Sequence, residues 1–263
     1  MSNTTLENKI KLSEYYVAYF DILGSKKMIE SSEAETFLNV INHIYKNTIF
    51  TINSFYKKNH NIEIKVKIFS DNIIFAIEKD KEDTEVIKAD KKILITAIAS
   101  FFQVLALKYT MPVRGSITIG DLYIDEIFVY GKALNNAYKL ESKIAIYPRV
   151  IIDPNIKNEF LQNNYIRENL CCDEEGIYYL NSFKEYYNIR QIYASDEIKK
   201  IYEVLKARLF ICDSEEIRQK NYWLINLFNN FCLENNYNQY VFDTKSLPQL
   251  TESLIKEYFE NAK

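Results

Sequence analysis

Two acids of this chain raise a chemical question. Asp21 interrupts an apolar run, YYVAYFDILGSKKMIE over residues 15–30, three residues before Gly24. Asp71 sits between two strand-like segments, IEIKVKIF (62–69) and IIFAIE (73–78). If the first strand lies beside that hairpin, the two carboxylates come to one sheet edge. Close carboxylates repel and raise one another's pKa unless a cation lies between them. Oxygen ligands with room for water and phosphate oxygens suit magnesium or manganese. A pair of such ions activates an attacking hydroxyl and neutralises a leaving pyrophosphate. The plainer alternative makes Asp71 an ordinary turn residue and Asp21 a cap or loop acid. The acids alone leave both open. Gly24 belongs to the same question. A glycine turn there, followed by Ser25, would let main-chain amides approach a triphosphate.

A second pair lies in YGKALNNAYKLES, residues 130–142, where Asn135 and Lys139 are four apart and share a helical face. An amide and a cation stacked this way can hold a ribose oxygen and a phosphate together. The alternative is a solvated face with a weak polar pair. Leu134, Ala137 and Leu140 fall on a different, apolar side.

The elements that must position these residues follow from periodicity. Residues 15–22 read as a strand. Residues 33–57 carry Phe37, Leu38, Ile41, Ile44, Ile49 and Ile52 at near-helical spacing. Segments 62–69 and 73–78 form a hairpin with Asp71 at its turn. A second long helix is expected over 84–108, a strand in VRGSITIGDLYI, a third helix over 131–145 and a strand in YPRVIID. The order β-α-β-β-α-β is that of a ferredoxin-like, palm-type α/β sandwich. The expected division is 12–154 for this unit and 155–263 for a mainly helical C-terminal extension. In the extension EEGIYYLNSF reads as a short strand, residues 195–236 and 247–261 read as helical, and Trp223 lies on an apolar helix face.

With 263 residues and 48% hydrophobic content, a sizeable core can form. A net charge of -3 argues against broad nucleic-acid binding. No apolar run approaches the ~20 residues of a membrane span. The polar start MSNTTLENKIKLSE lacks a signal-peptide core, so a soluble, cytoplasmic protein is expected. Two histidines, His43 and His60, are too few for a histidine-based zinc site or a Ser-His-Asp triad. The four cysteines (Cys171, Cys172, Cys212, Cys232) show no CxxC spacing and are expected to be reduced and structural. Chemistry should rest on carboxylates, amides and cations.

These segments, taken in order, resemble the class III nucleotidyl cyclase family, the adenylate/guanylate cyclase catalytic domain. YFDILGSK resembles the family's F-x-D-I-x-G-F-T, and VKIFSDNIIFA its I-K-x-x-G-D-x-x-M-A. VRGSITIG is similar to R-x-G-I-x-x-G, YGKALNNAYKLES to G-D-x-V-N-x-A-A-R-L-E-S, and YPRVIID fits the strand that follows. The resemblance covers roughly residues 15–153.

It implies a metal-dependent cyclase that converts a ribonucleoside triphosphate to a 3′,5′-cyclic mononucleotide and pyrophosphate. Asp21, Asp71 and the main-chain carbonyl of Ile22 would hold two magnesium or manganese ions. Asn135 would orient the ribose, and Lys67 falls at a position that often contacts the base. In the family the metal acids come from one subunit and the Asn/Arg pair from the other, which implies a head-to-tail homodimer.

The sequence departs from the pattern in several places. The family's transition-state arginine falls on Lys139, which keeps the charge but loses the bidentate fork. The glycine before the second metal aspartate is Ser70. The adenine-reading aspartate position is Phe128, which cannot accept the amino group's hydrogen bond. No match to the late triphosphate-binding lysine is evident; Arg149 and Lys184 are the candidates to replace it. Departures of this type are similar to the pyrimidine-nucleotide cyclases of bacterial anti-phage signalling. Two rival readings use the same acids: a catalytically silent cyclase-like nucleotide sensor, and a palm-domain nucleotidyltransferase that forms oligonucleotides.

Overall fold

The computed structural model describes residues 10–56, 62–190, 194–210 and 214–243. The first strand, β1 (Ser13–Ile22), is followed by a five-residue helix α1 (Ser25–Ile29) and the long α2 (Ala34–Tyr56). Then come β2 (Lys65–Phe69), β3 (Asn72–Glu78), α3 (Glu85–Lys108) and β4 (Val113–Ile124). These complete the expected βαββαβ order. The expected hairpin, third helix and following strand appear as β2–β3, α4 (Lys132–Lys143) and β6 (Val150–Ile152), with a two-residue strand β5 (Val129–Tyr130) between β4 and α4. Past these lie α5 (Lys157–Leu161), α6 (Asn164–Glu168), β7 (Leu170–Cys172), β8 (Tyr178–Leu180), α7 (Ser182–Ile189), α8 (Ala194–Phe210) and α9 (Glu215–Glu234). The expected helix at 247–261, His60 and Cys212 lie outside the described residues.

Among the described residues eight strands form one sheet, in the order β2-β3-β1-β4-β6-β8-β7, with β5 paired to β4. β1 is central, antiparallel to both β3 and β4. Its continuous apolar run has a simple cause: both faces are covered. Tyr16, Ala18, Phe20 and Ile22 enter the core shared with α2 and α3. Tyr15, Val17 and Tyr19 enter a second cluster with Ala133 and Ala137 of α4. By the same alternation Asp21 falls on the α4 face.

The first face is densely packed. Phe20 meets Phe75 and Phe102 at ring distances of 5.9 and 4.9 Å. From α2 it receives Phe37, Ile41, Ile44 and Ile52, while Leu38, expected in that stripe, is exposed. Thr84 starts α3 by accepting from the Ile87 amide at 3.3 Å. α3 is buried from Leu94 to Leu107 on every side, because the extension covers its back. There Ser182 donates to Gln103 Oε1, and Gln103 Nε2 donates to the carbonyls of Val113 and Pro148 at 3.2 and 2.7 Å. Trp223 stacks on Tyr147 at 5.7 Å and meets the edge of Tyr179. Residues on both sides of 154 thus contribute to one core, and β8 pairs with β6 in the common sheet.

Candidate active site

Register sets the first layer of the site. Asp21 lies opposite Asn72 of β3 and opposite Arg114 of β4, one row across three strands. Asp71 precedes Asn72 in the β2–β3 turn, and its carbonyl accepts from the Ile22 amide at 3.3 Å. The two acids therefore stand at the same end of the sheet. The turn carries its own strain: Ser70 has φ 57, left-handed backbone. That is the first of two turn positions, where a tight hairpin favours glycine. A serine holds this position here at some cost.

Gly24 opens α1 with φ 82, also left-handed. Ser25 follows, buried, with its hydroxyl donating to Asp71 Oδ2. Asn72 Nδ2 donates to Asp71 Oδ1 at 3.0 Å, and Tyr19 donates to Asn72 Oδ1. Gly115 permits β4 to come close beside Arg114, since a Cβ there would stand 2.4 Å from the Tyr19 carbonyl.

A cation and a third acid join the pair. Arg114 Nε donates to Asp21 Oδ2 at 3.2 Å and forms an ion pair with Glu141 of α4. With Nε–H engaged by Asp21, Glu141 Oε1 meets the guanidinium as an ion pair and has no hydrogen-bond partner. Burial raises the Asp21 carboxyl above its ordinary value; Arg114 opposes this and Asp71 reinforces it. Burial likewise pushes Glu141 up to about 7, against Arg114 and with help from Asp21 and Asp71. Lys220 of α9 lowers Asp21 by a smaller amount, so the extension's charge reaches the site.

Asp21 and Asp71, two carboxylates at one sheet end, are the oxygen donors here that a divalent cation could take. Among the described residues no three His, Cys, Asp or Glu side chains are grouped to hold a metal unaided. An ion here would take its remaining ligands from the backbone, water or substrate.

The other expected residues divide into three sets. Lys67 and Phe128 are brought to one turn. Lys67 Nζ donates to the Asp125 carbonyl at 2.6 Å, and the Phe128 amide donates to Asp125 Oδ1 at 2.9 Å. The Phe128 ring is 42% exposed and lies against Tyr123. Asn135 and Lys139 are exposed, each two residues beyond a buried alanine of α4. Two residues rotate a helix by about 200°, so both face away from their own chain's acids. Arg149 is a correction. It is 5% exposed, held by Asp173 at 2.7 Å and packed over the rings of Tyr147 and Tyr179. It serves the fold and is not presented to a triphosphate. Lys184 is likewise committed, donating to the Glu168 carbonyl at 2.7 Å.

No protein-family model and no curated protein matches the chain. Among solved structures it is similar to the dimeric guanylyl cyclase domain of a RhoGC fusion protein from the aquatic fungus Blastocladiella emersonii. That match has 13% identity and a TM-score of 0.45, covering 64% of this chain and 96% of that one. It is also similar to a bacterial light-regulated adenylyl cyclase, at 14% identity and a TM-score of 0.42, covering 73% and 99%. Both scores fall below 0.5; the palm-like architecture is carried by this chain's own strand order and register. Among the described residues no helix is long and apolar enough to cross a membrane.

Sequence reasoning missed Arg114 and Glu141. Glu141 had a signal: it continues the stripe of Ala133 and Ala137 at intervals of four, which marks a carboxylate turned into the sheet. Arg114 had a signal only as the arginine of VRGSITIG; its pairing comes from cross-strand register with Asp21.

Proposed function

We propose that this chain is a metal-dependent nucleotidyl cyclase acting as a head-to-tail homodimer. The observation that carries the reading is the division of the site residues. Asp21 and Asp71 stand at one sheet end, while Asn135 and Lys139 line the outward face of α4. A second copy can set its Asn135 and Lys139 over the first copy's acids.

Two magnesium or manganese ions on Asp21, Asp71 and the Ile22 carbonyl would acidify the ribose 3′-hydroxyl and neutralise the leaving pyrophosphate. Arg114, which contacts Asp21 and Glu141, is the cation placed to meet the polyphosphate. Asn135 orients the ribose so that its 3′-oxygen lies in line with the α-phosphorus. Lys139 neutralises charge on the α-phosphate as the new bond forms and the phosphoanhydride breaks. The base would lie near the Asp125 turn, facing Lys67 and Phe128.

The test is incubation of the protein with each of the four ribonucleoside triphosphates and manganese, products being resolved by mass spectrometry. A 3′,5′-cyclic mononucleotide from at least one substrate is expected, and its loss in Asp21→Ala. No cyclic product from any substrate, or undiminished activity in Asp21→Ala, would sink the reading.

A silent, nucleotide-sensing relative is the second reading, favoured by Arg114 lying on Asp21 and by lysine at position 139. It predicts nucleotide binding without turnover. A role in anti-phage signalling rests on the sequence resemblance. Phage challenge of cells expressing the wild type or Asp21→Ala would test it, with protection expected from the wild type alone.

A further inference from the structure

Asp71 is held from two sides. Ser25, buried, donates its hydroxyl to Oδ2, and Asn72 Nδ2 donates to Oδ1 at 3.0 Å. Each carboxylate oxygen gives one lone pair to the protein and keeps the other for a cation. The two donors together fix the plane in which the remaining lone pairs point.

The Asn72 amide can do this in one orientation only. An ionised carboxylate accepts hydrogen bonds and cannot donate them. The amide must turn its nitrogen to Asp71, which leaves Oδ1 facing the other way. Tyr19 meets that oxygen: its hydroxyl donates to Asn72 Oδ1. The phenol is itself fixed. Tyr19 is 3% exposed, lies in the cluster with Ile74 and Ala137, and has the Tyr138 ring across it at 6.2 Å. Two residues further along the same strand face stands Asp21. β1 therefore supplies one acid of the site directly and reaches the other through a hydrogen-bonded chain, Tyr19 to Asn72 to Asp71.

We propose that Tyr19 is a positioning residue for the metal site, acting through Asn72 on Asp71. The inference rests on the metal-site reading above. The Tyr19 hydroxyl locks the Asn72 amide, and the locked amide holds the Asp71 carboxylate ready for a divalent cation. A phenylalanine would fill the same space but leave the amide free to turn its oxygen toward the carboxylate.

The experiment measures manganese binding to the full chain without nucleotide, by electron paramagnetic resonance of the free ion. Outer-sphere partners of metal ligands typically change affinity by about 10–100-fold when mutated. Tyr19→Phe should weaken manganese binding by about tenfold, and Asn72→Ala by at least as much. In the Asn72→Ala background Tyr19→Phe should have little further effect, because the chain is already cut. Tyr16→Phe is the control. It removes a buried tyrosine hydroxyl from the opposite face of the same strand, where that hydroxyl donates to Glu159 at 3.3 Å, and should leave manganese affinity unchanged.

Wild-type affinity in Tyr19→Phe, with binding abolished in Asp21→Asn, overturns this inference and leaves the metal site standing. An equal loss in Tyr16→Phe overturns it too, since the effect would then be a general loosening of β1. So does a full further loss on adding Tyr19→Phe to Asn72→Ala, since the tyrosine would then not act through Asn72. Absence of manganese binding in the wild type, or full binding in Asp21→Asn, overturns the metal site and this inference with it. If Tyr19→Phe does not fold, by circular dichroism, Asn72→Ala decides: wild-type affinity there overturns the inference.

Discussion

The two faces of the central sheet are built to different rules. The face under α2 and α3 is apolar and closed: Tyr16, Ala18, Phe20, Ile22, Ile73, Phe75 and Ile77 are buried there with aliphatic and aromatic partners. The face under α4 is apolar only at its middle, around Tyr15, Val17 and Tyr19. Toward the end of β1 it turns into a row of Asn72, Asp21 and Arg114, with Glu141 over it. Adjacent residues of one strand, Phe20 and Asp21, therefore serve opposite ends. One face supplies the stability that lets the other hold charges in unfavourable surroundings.

The sharpest way to break the comparison is to exchange those neighbours' fates. Phe20→Ala opens a cavity among Phe75 and Phe102 and should cost about 3–5 kcal/mol, seen as a lowered denaturation midpoint with residual activity only in the folded fraction. Asp21→Asn should leave the denaturation midpoint near that of the wild type while eliminating cyclisation. A variant pair with the reverse pattern would mean that the faces are not divided in this way.

Asn135→Ala probes the outward side of α4. Its exposed side chain should contribute little to folding, while turnover should fall by about 10²–10³, as for loss of one transition-state donor. Steady-state kinetics alongside thermal melting would check both halves.

The pH dependence sharpens the electrostatic contrast. Folded Glu141 keeps its proton up to about 7, against an ordinary 4.5. Its contribution to stability is greatest below the lower value, where it is protonated in both states. It declines as pH rises from about 4.5 to about 7, where the native state alone retains the proton. Denaturant melts across that range should show it, and Glu141→Gln should flatten it.

The smallest expected effect is Ser70→Gly. Relief of the left-handed turn should raise stability by about 1 kcal/mol, with β2 and β3 unchanged by circular dichroism.

The elements that sequence made visible are those long enough to show a period. β1, α2, the β2–β3 hairpin, α3, β4 and α4 all appear near their expected positions, because each is long enough to show an apolar run or a period. β7, β8, α5 and α6 span three to five residues, fewer than a period needs, and only the stretch containing β8 was expected. The site divides similarly. Asp21 stood out as an acid in an apolar run, and Asp71 as a turn acid between strands. Arg114 and Glu141 did not, since their pairing joins a strand to a helix. Arg149 misled because a cation's type does not reveal its burial; Asp173 and two tyrosine rings take up its charge.

The sheet order carries one more consequence. The β2 edge alternates Lys65 and Lys67 with apolar residues, and edge lysines discourage strand addition by other molecules. β6, Val150–Ile152, is fully apolar and depends on β8 for its outer partner. A fragment ending near residue 154 would lose that partner and uncover the back of α3 as well. Such a truncated protein would satisfy its bare strand with neighbouring copies and come out of solution as aggregate, so recombinant preparations should keep the region after 154 attached.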